Sequence, residues 1–312
     1  MGRFGFIGMR LLQAIPVMFG VTVVCFFILR LIPGDPVAVM LGSNYTPERA
    51  AVLRANLGLD KSLWEQYWLF LTNIVQGDLG QSIYYSSSVR DLVVERIPVT
   101  IWLAVYSTLI AITISVPLAT LSALKKNAAP DQAIRGLFVL AFAMPPFWVG
   151  IVLTLLFSLH WQIFPVGGYG GFRDNLGNLF LPSLTIALGF AAILIRTLRN
   201  SILNVLDSEY LDTAKAKGLS ETRILWRHVL RNALISGVTV IGVNLSYLIG
   251  STVIIENVFA LPGLGQLLAA SITQRDLAVV QGITLVFGLG VVLTNLLTDV
   301  TYAVLDPRVS YD

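Results

Sequence analysis

Residues 205–232 read VLDSEYLDTAKAKGLSETRILWRHVLRN, the most polar continuous stretch of a strongly hydrophobic chain. Apolar runs flank it on both sides, so it reads as a loop held against a membrane face. Its pattern predicts two short helices around a glycine. Ser208 is placed to cap the first. Glu209 and Asp212 fall in its first turn and Lys215 and Lys217 in its last, each sign matching the helix dipole. Gly218 stands where a left-handed residue ends a helix, and Ser220 can cap a second helix from Glu221. A rigid, charged helix pair on a membrane protein predicts a docking element. A solvated connector would need the polarity but not the capping.

The composition agrees with a membrane setting. Of 312 residues, 55% are hydrophobic and 12% charged, where a soluble domain carries about 25% charged residues. The mean hydropathy is +0.77. The single cysteine, Cys25, excludes a disulfide framework, a thiolate metal centre and a redox pair. His160 and His228 lack ligand spacing and no HExxH occurs, so no metal site is expected. Neither GxxxxGKS/T nor GxSxG is present, so the chain has no phosphate-binding loop and no hydrolase nucleophile of those kinds. No catalytic residue and no cofactor is expected in this chain. The basic residues cluster beside apolar runs, where topology explains them, and nothing points to nucleic acid.

Six apolar runs are long enough to span a bilayer: Leu11–Leu29, Ile97–Leu124, Gly136–Leu159, a run from near Leu179 to Ile195, Asn232–Ile255 and Leu277–Thr298. The first ends in Arg30-Leu-Ile-Pro-Gly-Asp-Pro36, which is no signal-peptidase site, so it reads as a retained helix. Lysine and arginine concentrate in the short loops at 125–135 and 196–231. This predicts cytoplasmic N- and C-termini and a cytoplasmic 205–231 loop. Residues 31–95 then form a folded extracytoplasmic insert between the first two spans. Residues 96–303 form the five-helix core and 304–312 a short tail. No charge falls well inside a run, against the pattern of ion-coupled carriers. Thr154, Thr239, Asn244, Ser246 and Thr284 are neutral polar candidates for a translocation path. Helix-to-helix hydrogen bonding is the plainer reading of each. Pro117, Pro145-Pro146 and Pro182 can kink their helices.

In this context, Asp212-Thr213-Ala214-Lys215-Ala216-Lys217-Gly218 resembles the E-A-A-x-x-x-G loop of bacterial ABC importer permeases. Tyr210 to Asn232 is similar to the form in the dipeptide/oligopeptide/nickel family, in its B-type subunit. Matching stretches run through the chain in order: Leu31–Pro36, Gly77–Ser82, Leu181–Leu184 and Glu256–Gly265. Asp212 and Thr213 replace the motif's Glu and first Ala, and His228–Arg231 departs from its I-x-L-P end.

The resemblance implies an all-α, multi-pass inner-membrane protein of the type I ABC importer fold, its first span an added helix outside the five-helix core. The implied partners are a second homologous permease, two cytoplasmic ATPases that bind ATP and Mg, an extracytoplasmic substrate-binding protein and the bilayer. Glu209, Tyr210, Asp212, Thr213, Ala214, Lys215, Ala216, Gly218 and Arg223 are the expected ATPase-coupling residues. Trp64, Tyr67, Trp68, Asp78, Glu256, Arg275 and Asp276 are expected to face the binding protein. Di- or oligopeptides are the expected cargo, with glutathione, nickel chelates and oligosaccharides as alternatives. A self-sufficient ion-coupled transporter is the competing class.

Overall fold

In hydrocarbon every backbone N–H and C=O must bond within its own segment, so uncharged runs of about twenty residues become helices. The computed structural model describes residues 3–31, 35–42, 45–56, 58–170 and 172–305. Ile32, Pro33 and Gly34 of the Leu31–Pro36 motif lie outside these residues, as does the tail beyond Leu305.

Among the described residues the chain is almost wholly helical. The order is α1 (Arg3–Leu31), α2 (Pro36–Leu41), α3 (Pro47–Asn56), α4 (Leu63–Val75) and α5 (Val89–Leu124). Next come α6 (Ala129–Ala143), α7 (Pro146–Leu153), α8 (Phe172–Asn178), α9 (Phe180–Leu206) and α10 (Glu209–Ala216). The chain ends with α11 (Glu221–Ile224), α12 (Arg231–Val258), α13 (Leu264–Thr273) and α14 (Leu277–Leu305). A π-helical turn prolongs α7 to His160, and another joins α11 to α12 over Leu225–Leu230.

Among the described residues five helices are long and apolar enough to span a membrane, six if α6 and α7 count as one broken span. The run expected as one helix over Gly136–Leu159 turns by 106° between them. Pro145 pushes Met144 into extended backbone (φ −82°, ψ 132°), and Pro146 begins a new helix at a position that needs no N–H donor. The second span begins at Val89 rather than near residue 97, so α5 passes through the boundary drawn at 95/96.

The bundle is centred on α5 and α9. The inner face of α5 carries Ser107, Ala111, Ser115, Ala119 and Ser122, all fully buried. Small residues every third or fourth position bring two helix backbones close, the usual packing device where lipid removes the hydrophobic drive. The core continues through Leu194, Ile195, Leu198 and Ile202 of α9 to Leu211 and Ala214 of α10 and Val229, Leu230 and Ala233 beyond it.

α1 packs outside this core, on α14 and α4. Its Val21 lies over Gly288, and Phe26 meets Tyr67 and Phe70 edge-on or tilted. In the 31–95 segment α4 opens with a full capping box. Ser62 Oγ accepts from the Glu65 N–H, and the Glu65 carboxylate accepts from the Ser62 N–H and hydroxyl. Those hydrogen bonds hold the Glu65 carboxyl below its ordinary pKa.

Candidate functional site

The 205–232 loop folds as its spacing predicts, with one change. Ser208 takes the extended N-cap backbone, yet its hydroxyl turns back and donates to the Val205 carbonyl. The predicted side-chain cap is absent. The other end matches a Schellman motif: Leu219 N–H donates to Ala214 O (3.4 Å) and Gly218 N–H to Lys215 O (2.9 Å). Gly218 stands at φ +73° with open space around it, so the conformation, and not crowding, selects glycine there.

α10 has two faces. Leu211 and Ala214, three residues apart, are buried and belong to the same apolar cluster as Ile202, Ile224, Val229 and Ala233. Ala214 therefore seats the helix and is not available to an outside partner. Glu209, Asp212, Thr213, Lys215, Ala216 and Arg223 are exposed. Tyr210 does two things: the residue is 44% exposed, while its hydroxyl donates to His228 O (3.3 Å) and accepts from Asn232 Nδ2 (2.9 Å). That stitch ties α10 to the start of α12. Asp212 and Lys215 pair at 3.5 Å on the open surface.

Just inside this end lies a buried ion pair that the sequence reading missed. Asp131 on α6 is fully buried, and Arg199 on α9 grips it with Nε to Oδ1 (2.8 Å) and Nη2 to Oδ2 (2.7 Å). Ser122 of α5 donates to Oδ1 at 2.6 Å, and the Asn127 N–H to Oδ2 at 2.9 Å. Three helices are joined at one carboxylate. The helices overshoot the uncharged runs, which is how Asp131 and Arg199 come to lie inside them.

The opposite end corrects three expectations. Glu256 is fully buried: Oε1 accepts from the Thr100 hydroxyl (2.7 Å) and Oε2 from the Gln266 N–H (3.0 Å). Thr100 Oγ1 in turn accepts from the Leu264 N–H, so the pair satisfies two of the four orphan donors of α13. Gly263 is required here, since a Cβ would come within 2.4 Å of the Glu256 carboxylate. Asp276, 1% exposed, caps α14 and accepts from Ser82 Oγ and the Tyr84 N–H (3.1 Å). Tyr67 is 5% exposed, and its hydroxyl bonds Thr22 of α1 at 2.9 Å. None of these three side chains is open to a docking protein. Trp64 (80%), Trp68 (66%), Arg275 and Asp78 are exposed, and the Asp78 carboxylate accepts from the Gly80 N–H. Between α5 and α13 lies a polar hollow of about 400 Å³ lined by Tyr85, Arg96, Asn257, Gln266 and Thr273.

The path candidates do not converge within this chain. Thr154, Asn244 and Thr284 bond carbonyls one turn back on their own helices, and Ser246 donates to Asn295 of α14 at 3.0 Å. Thr239 is exposed, and it belongs to a stripe on α12 that continues through Val243, Tyr247, Gly250, Ile254 and Asn257. Tyr247, near the middle of α12, is 75% exposed.

The profile of the family described as "Binding-protein-dependent transport system inner membrane component" matches residues 115–311, and that family's N-terminal profile matches residues 3–104. The chain belongs to this permease family.

A protein of Brucella suis biovar 1 named as a peptide transport system permease is 40% identical over 307 residues, covering 97% of this chain and 98% of its own. The dipeptide transport system permease DppB of Escherichia coli K12 is 35% identical over 334 aligned residues, 98% of each chain. The glutathione transport system permease GsiC of Escherichia coli O6:H1 is 36% identical over 302 residues, 97% of each. Among solved structures, the inward-facing MetNI methionine ABC transporter superposes with a TM-score of 0.59. That match is 15% identical and covers 69% of this chain and 96% of that one, so it shows the fold. The permease is thus a multi-pass inner-membrane subunit of the ABC importer type.

Two more features of the permease had weak signals in sequence. Trp226, 65% exposed beside α10, was one aromatic in a basic loop. Tyr247 was one tyrosine in an apolar run; its period with Thr239, Gly250 and Asn257 appears only once the buried face of α12 is known.

Proposed function

We propose that this permease forms half of the translocation path of an ATP-driven importer for short peptides. α10 is its coupling helix and α12 its path-facing helix. One observation carries the reading: α10 is anchored by Leu211, Ala214 and the Tyr210 stitch while its charged face stays open. A helix so held passes a push on its outer face to α9 and α12 as a rigid body. The chain shows no phosphate-binding loop, so the push comes from partner ATPases that bind ATP and Mg. Orientation follows: the α10 end faces the cytoplasm, and α13, Trp64, Trp68 and Arg275 face the substrate-binding protein.

A second permease subunit completes the path. The α12 stripe supports this, because a tyrosine hydroxyl at mid-span is disfavoured against lipid and suited to a polar lumen or a facing subunit. The cargo class rests on the relatives' names, peptide and dipeptide; glutathione, carried by a third, is itself a tripeptide.

The test is Gly218→Val. A β-branched residue at φ +73° strains the turn that ends α10 without crowding any neighbour. The variant should reach the membrane at the parental level, yet lose binding-protein-dependent dipeptide uptake while ATP hydrolysis continues. Fully coupled uptake by the variant would overturn the role given to α10.

A further inference from the structure

We propose that the hollow between α6 and α9, at the α10 end of the bundle, is a binding site for an anionic glycerophospholipid of that leaflet. Lys126, Arg135 and Arg196 hold its phosphate, and an acyl chain lies along Phe138, Phe142 and Ile193. The hollow measures about 640 Å³, ample for part of one chain and a headgroup.

Its two halves differ in chemistry along the helix axes. Lys126 stands just beyond α5, and Arg135 lies six residues into α6, about 9 Å from its start at 1.5 Å per residue. Arg196 lies ten residues before the end of α9, about 15 Å in. Phe138 and Phe142 follow Arg135 toward the middle of the bundle, and Ile193 lies one turn deeper than Arg196. Cations therefore sit at the rim and rings and aliphatic groups below them, the order of a lipid's own parts.

The charge balance selects the occupant. Arg199, also at the hollow, is neutralised by Asp131. Lys126, Arg135 and Arg196 form no ion pair among the described residues, and no Asp or Glu lines the hollow. A zwitterionic peptide in transit would leave its ammonium group among three cations. A soluble partner could meet the rim but not the apolar floor. Topology alone accounts for basic residues in a loop, not for two of them a turn or more inside facing helices over an apolar hollow. Basic pockets between spanning helices are where anionic headgroups lodge.

The experiment uses the assembled transporter in nanodiscs of phosphatidylcholine with and without phosphatidylglycerol, with retained phosphatidylglycerol counted by native mass spectrometry after extraction. The triple variant Lys126→Gln/Arg135→Gln/Arg196→Gln should weaken retention on the order of a hundredfold, at about fivefold per cation. Phe142→Trp fills the floor with all charges intact and should also expel the lipid. Retention unchanged in either variant overturns the site, as does a cross-link from Phe142 to a neighbouring permease subunit that fills the hollow. Gly218→Val should keep the lipid while losing uptake, so this site and the coupling role of α10 fail or stand separately.

Discussion

Both ends of the helix bundle bury carboxylates, and they satisfy them by different means. At the α10 end Asp131 meets a full opposite charge, Arg199, and the pair laces α5, α6 and α9 together. At the far end Glu256 and Asp276 meet hydroxyls and backbone N–H groups at the starts of α13 and α14. The first arrangement fixes helices to one another, while the second fixes where helices begin. On the coupling role proposed for α10, a lashing among three helices suits the end that would take the push. Anchored helix starts suit a rim proposed to meet the substrate-binding protein.

The sharpest way to break this contrast is Asp131→Ala. It strands Arg199 without its partner and should cost about 3–5 kcal/mol, read as a fall in the thermal midpoint of the purified complex. Asp131→Leu combined with Arg199→Met should recover most of that loss, because no lone charge remains buried. Glu256→Gln comes next, at about 1–3 kcal/mol: the amide keeps one acceptor for the Gln266 N–H but turns an NH2 donor toward the Thr100 hydroxyl, which then lacks its acceptor. A larger loss from Glu256→Gln than from Asp131→Ala would reverse the contrast. Smallest is Lys215→Ala on the open face of α10. Its pair with Asp212 has side chains 61% and 80% exposed, so no resolvable shift in the thermal midpoint is expected. Any loss of uptake in that variant then reports on a partner surface.

The sequence made the spans and the loop legible because both are local. Gly218 marks the end of α10 by its own backbone preference, and uncharged runs declare themselves by length. Pro145-Pro146 announced a break, although its 106° turn depends on what α7 packs against. The misreadings share a cause. Trp64, Tyr67 and Trp68 form one amphipathic pattern, and only the position of α1 decides that Tyr67 turns inward. Glu256 looked like a rim charge because the chain that buries it, Thr100 and α13, lies elsewhere in the sequence. Asp131 and Arg199 are 68 residues apart, and Ser107, Ala111, Ser115 and Ala119 show their stripe only against a known partner helix.

The packing of α1 has a consequence for how the molecule is made. Of the spanning helices described, α1 is synthesised first, and its largest neighbour, α14, is synthesised last. At about 5–20 residues per second, α1 waits on the order of tens of seconds before the groove beneath Val21 exists. Lipid can cover its apolar side chains meanwhile, but the Thr22 hydroxyl needs a polar partner. It bonds the Phe19 carbonyl at once, and Tyr67 of α4 arrives some forty residues later to donate to it. The small α4 helix thus gives the newborn first span a companion long before the bundle closes around it.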